Sequence, residues 1–174
     1  MEKKGIARLL CLAAIAILAC AHPDTGPRSQ PIEARVLNQS ADCGRQSESP
    51  AALWLGGREE LKAVANSMNR GRLKSGLPEW ARDLDFSDHG VLLVHMGQKP
   101  TGGFSLEFIP GHAYVCGQTA TVVLQWITPP ADAMVAQMIT NPCIWLKLPS
   151  GAFSKIKIMD QNNRLKALVN FDGE

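Results

Sequence analysis

Apolar and polar residues alternate with a period of two over most of the second half of the chain. Leu106 and Phe108 alternate with Ser105 and Glu107, and Val122, Leu124 and Trp126 alternate with Thr121, Val123 and Gln125. Ile144, Leu146 and Leu148 flank Trp145 and Lys147, Ile156 and Ile158 alternate with Lys155 and Lys157, and Leu165, Ala167, Val169 and Phe171 form a last series. Together with the compact apolar run at 91–96 these predict six strands, because successive side chains of a strand point to opposite faces. Clusters of Gly, Pro, Asn and Asp separate them, which implies antiparallel pairing. Segments 32–37 and 51–55 add two further candidates. Lysines beside Ile156 and Ile158 suit an edge or a solvated face.

Earlier in the chain the period changes to 3.6 in one place. Gly56 and Gly57 precede residues 58–68, where Leu61, Val64, Ala65 and Met68 share one face. Glu59 and Glu60 sit in the first turn, where the helix dipole favours acids, and Gly71 is placed to end the helix. The predicted fold is therefore mainly β with one accessory helix, an antiparallel β-sandwich or curled sheet. No repeat and no second change of composition follows residue 31, so residues 32–174 are expected to form a single domain.

The first residues follow a different pattern. Lys3, Lys4 and Arg8 precede eleven uncharged residues, 9–19, a stretch too short for the roughly 20 residues that span a bilayer core. It ends Ile17-Leu18-Ala19-Cys20, which resembles a bacterial lipobox. Residues 1–19 are expected to be a lipoprotein signal peptide, with Cys20 lipidated and the protein held on a membrane of the bacterial cell envelope, facing the periplasm or the exterior. Pro23, Gly26, Pro27 and Pro31 make residues 20–31 a tether.

Composition narrows the function. The 174 residues are 45% hydrophobic and 20% charged, enough for a sizeable core. Lys+Arg number 18 and Asp+Glu 16, and removing Lys3, Lys4, Arg8 and Glu2 with the leader leaves 15 against 15. Such balance removes the electrostatic attraction that nucleic-acid binding requires. Export also bears on the cysteines. Cys43, Cys116 and Cys143 remain after the leader and Cys20 are set aside, which allows one disulfide and one spare thiol. Cys43 with Cys143 closes the longer loop and is favoured by chain entropy, and Cys116 with Cys143 is the rival. Their spacing does not suit zinc, and no cofactor is implied.

The most unusual local stretch is Gly97-Gln98-Lys99-Pro100-Thr101-Gly102-Gly103-Phe104, between two predicted strands. Pro100 fixes φ and removes a ladder donor, while Gly102 and Gly103 admit positive φ, so a long hairpin loop is expected. Pro129 and Pro130 end a later strand, and Gln137 and Thr140 lie in the connection to Pro142. These positions, over residues 90–160, resemble the PrcB C-terminal domain family. A strand ending in Gly there leads to a Lys-Pro-Thr-Gly-Gly-aromatic loop, with Phe104 here in place of the usual tyrosine. The resemblance implies an accessory role, since the family is named after a non-proteolytic lipoprotein subunit of a bacterial surface protease complex. The loop is also similar to the Asn-Pro-Thr-Thr-Gly-aromatic loop of chagasin-type protease inhibitors, with Gln98-Lys99 standing where Asn would be.

Two functions follow. In the first, a non-enzymatic lipoprotein binds another exported protein, a protease above all, through Lys99, Pro100, Thr101, Gly102, Gly103 and Phe104, and stabilises or modulates it. A preordered loop of this kind loses little freedom on binding. In the second, a cleft near Trp80 and Trp145 binds a small ligand or glycan, Trp145 being either an exposed contact or a wall covered by the helix. No catalytic residues are assigned. His95 lies within a strand, Asp83, Asp85 and Asp88 read as a solvated lead into the next strand, and the Asp85, Ser87, His89 spacing is not one a triad uses.

Overall fold

The computed structural model describes residues 29–44, 47–68, 76–151 and 153–171. The leader, Cys20, the tether ahead of Ser29 and Gly71 lie outside these residues. In chain order the elements are β1 (Ser29–Pro31), β2 (Arg35–Ser40), β3 (Ala51–Leu55), α1 (Arg58–Met68), a 3-10 turn (Glu79–Ala81), β4 (His89–His95), β5 (Ser105–Cys116), β6 (Thr119–Ile127), β7 (Cys143–Pro149), β8 (Lys155–Asp160) and β9 (Leu165–Asn170). They form a five-stranded sheet, β1-β5-β6-β8-β9, and a four-stranded sheet, β2-β7-β4-β3. The fold is mainly β with one α-helix, and the sheets face each other as a sandwich.

Two apolar layers explain the sequence pattern. Between the sheets lie Leu92, Val94 and Met96 of the β4 segment, Ile144, Leu146 and Leu148 of β7, and Leu106, Val122, Leu124, Ile156 and Ile158 from the larger sheet. On the other face of β4 and β7, Val91, Leu93 and Trp145 pack with Leu55, Leu61 and Ala81 under α1 and the 3-10 turn. β4 is thus buried on both faces, which is why residues 91–96 read as a continuous apolar run while strands of the outer sheet alternate. Trp145 is 4% exposed and its ring lies 5.1 Å from that of Trp80. Of the two expectations for Trp145, the wall covered by the helical layer is the one observed.

Four other features depart from the expected plan. β6 and β8 pair in parallel, Val122 opposite Ile158, because the intervening β7 crosses to the other sheet and returns the chain in its original direction. β5 runs on past Phe108 to Cys116 through a register shift between Phe108 and Ala113 that absorbs Pro110 and Gly111. The last three residues assigned to the tether pair instead as β1, Pro31 opposite Tyr114. Leu165 does not share the inward face of Ala167 and Val169. The β8–β9 register shifts so that Met159 faces Leu165, which is 55% exposed.

Cys43 and Cys143 form a disulfide across a sequence separation of 100. Cys116 is engaged as well, so the expected spare thiol is absent. β8, flanked by β6 and β9, is an internal strand, and Lys155 and Lys157 therefore mark its solvated face and not an edge.

The turn after β8 is held by Asp160. Its Oδ1 accepts the backbone N–H groups of Asn162 and Arg164, each at 2.9 Å, and Oδ2 lies 3.4 Å from Lys166 Nζ. Burial pushes the Asp160 pKa up, but the two N–H donors and the Lys166 ammonium outweigh it and hold the carboxyl below the usual value. The folded pKa is thus the lower one. Its stabilising contribution is full above the unfolded pKa and is lost as pH falls through the lowered value. Urea unfolding between pH 7 and 2 is expected to show a shallower acid slope in Asp160→Asn than in wild type, and equal slopes would contradict this.

Candidate functional site

One pole of the sandwich collects the ends of β2, β4, β6 and β8 and the starts of β5, β7 and β9. Here the 97–104 loop meets the long connection 128–142. Lys99 and Thr140 exchange backbone hydrogen bonds, Lys99 N–H to Thr140 O at 2.8 Å and Thr140 N–H to Lys99 O at 3.0 Å. Thr140 Oγ1 donates to Thr101 O at 2.8 Å, and Gly102 N–H donates to Ala136 O at 2.8 Å. A third segment closes the back of the loop, with Gln98 N–H donating to Ser47 O at 2.7 Å. The two loops form one clamp, fixed by hydrogen bonds of the chain itself.

Two glycines make this approach possible. Gly97 has φ of 79°, and a Cβ there would stand 2.7 Å from Glu48 O. Gly103 has φ of 84°, and a Cβ would stand 2.9 Å from Val135 Cγ1 and 3.0 Å from Pro129. Both positions combine a left-handed backbone with a neighbour in contact, a combination only glycine meets.

The six predicted loop residues do not share one environment. Pro100 and Gly103 are exposed, and Lys99, Thr101 and Gly102 are half-buried. Phe104 packs on the core between the sheets, so it anchors the loop. Lys99 Nζ lies 5.7 Å from the Phe104 ring centre. Burial first, then the nearby charge of Lys166, lower the Lys99 pKa. Across the pole, Lys166 Nζ lies 5.0 Å from the Trp126 ring. Gln161 serves Trp126 as a substitute strand, its Oε1 accepting Trp126 N–H at 2.9 Å and its Nε2 donating to Trp126 O at 3.3 Å.

Periodicity did not mark the most exposed apolar residues. Met134, Met138 and Ile139 are 103%, 56% and 63% exposed. They account for half of the exposed large hydrophobic residues among those described, and all fall within one loop. Ile139 joins Glu48, Gln98, Lys99 and Pro100 around an open groove of about 420 Å³. The available signal was apolar residues in a proline-punctuated connection, where no core demands them. Thr140, named from the family pattern, pins the clamp, while Gln137 Nε2 bonds only locally, to Val135 O at 3.2 Å.

Other expected positions are placed elsewhere. His95 is wholly buried in β4. Asp85 Oδ1 accepts Ser87 N–H at 2.9 Å within a turn. Among the described residues no group of three or more His, Cys, Asp or Glu is arranged to hold a metal ion. Among those residues, too, no helix is long and apolar enough to cross a membrane.

No curated protein and no solved structure matches the chain. One family does match, over residues 91–149, the PrcB C-terminal family. Those residues take in nearly all of β4 through β7 and both loops of the clamp, so it is this segment of the chain that matches the PrcB C-terminal family.

Proposed function

We propose that this protein is an exported, lipid-anchored accessory factor that performs no bond chemistry and docks another exported protein, a protease, on its loop clamp, stabilising or modulating it. One observation carries the reading: a loop rigidly held by its neighbour stands beside three apolar side chains that the fold leaves in water. Apolar clusters of this kind mark interaction surfaces, and preorganisation of the loop reduces the entropy lost on docking. The family match supports a protease-associated partner. The non-catalytic part is supported by placement, since Cys143 is held in a disulfide and His95 is wholly buried in β4. Against the alternative ligand stands the placement of Trp145, which is buried against the tilted ring of Trp80.

Photocrosslinking from position 134 in intact envelopes identifies the partner, and affinity is then measured with the purified pair. Replacing Met134, Met138 and Ile139 together with serine is expected to weaken binding about 100-fold, at an unchanged melting temperature, since each buried apolar side chain contributes about 1 kcal/mol. Wild-type affinity in the triple variant would refute the docking surface. Anchoring has its own test: labelled palmitate is expected in wild type and not in Cys20→Ser, and equal labelling would refute lipidation there.

A further inference from the structure

Resting on that docking reading, we propose that the groove between Pro100 and Ile139 takes an acidic side chain of the partner. Its carboxylate meets the Lys99 ammonium while an apolar neighbour in the same segment covers Met134, Met138 and Ile139. Lys99 is half-buried with its ammonium 5.7 Å from the Phe104 ring centre, and the ion pairs among the described residues, Lys62 with Glu59 and Lys166 with Asp160, do not include it. Lys166, whose charge acts on Lys99, is committed to Asp160 and adds to the cost of burying Lys99. An incoming carboxylate relieves both burdens, and a basic segment would worsen them. Glu48 lines the same groove without pairing to Lys99, so it repels the acid and sharpens its placement toward the lysine. The apolar crest supplies area but little choice among partners, and the single buried-edge cation supplies the choice.

The test displays a random dodecapeptide library on phage and selects it against the immobilised full-length protein. Selected peptides are expected to carry Asp or Glu next to an apolar residue. With the best of them, Lys99→Gln is expected to weaken binding about tenfold and Glu48→Gln to strengthen it about threefold. Selection against Lys99→Glu is expected to exchange the acid for Lys or Arg, an inversion that a purely structural lysine would not produce. Melting curves confirm that each variant is folded, and Lys99→Gln stands in if the charge reversal is not. Peptides that lose binding in Met134→Ser with Ile139→Ser, but carry no acid and ignore Lys99, would overturn the acidic preference and leave the docking surface standing. Selected peptides indifferent to Met134, Ile139 and Lys99 alike, or no selection at all, would overturn both.

Discussion

Replacing Cys43 and Cys143 together with alanine is expected to lower the unfolding free energy by about 4–5 kcal/mol. The bridge closes a loop with a sequence separation of 100, near the upper end of what chain entropy gives for one crosslink. Both sulfurs also lie in the apolar layer under α1, so the two alanines leave two small cavities. The effect reaches the clamp, because Cys43 belongs to the segment whose Ser47 carbonyl receives Gln98 N–H. Urea unfolding of oxidised wild type against the double variant measures the loss. A difference under about 1 kcal/mol would show that the 43–49 segment is held by packing alone.

Gly97→Ala carries the second large effect, about 3 kcal/mol or more. The left-handed φ of 79° costs an alanine about 1 kcal/mol, and the new Cβ would stand 2.7 Å from a backbone oxygen of Glu48 and 2.8 Å from the Ser49 carbonyl carbon. Backbone atoms cannot rotate away as a side chain can. Gly117→Ala is the matched control, with φ of 60° and no atom within 4 Å of its Cβ, and is expected to cost only about 1 kcal/mol. Equal losses at the two positions would mean that the 48–49 segment yields, and that Gly97 matters only for its turn.

The fold was largely legible because burial leaves a period in the chain. Residues 91–96 and 144–148 show it most clearly: one strand is apolar throughout because helix and sheet cover its two faces, and the other alternates except at Trp145, which the helix covers. Pairing was less legible. The parallel contact of β6 with β8 depends on β7 joining the other sheet, and periodicity within a strand carries no information about its neighbour. The register shift that turns Leu165 outward is a single unpaired residue, invisible to a two-residue repeat. In the site, Pro100, Gly102 and Gly103 announced a turn through backbone chemistry alone. Met134, Met138 and Ile139 left only the faint signal of apolar residues in a proline-punctuated connection, since the surroundings of a loop residue come from contacts such as the Lys99–Thr140 bridge between distant segments.

β5 runs the length of the body, with Ser29 paired to Cys116 at one end and Phe104 leading into Ser105 at the other. Its twelve residues span about 35 Å once the irregular middle is allowed for. Ser29 and the clamp therefore stand at opposite ends of one strand, so a macromolecule touching the clamp would stay clear of the point where the chain enters the fold.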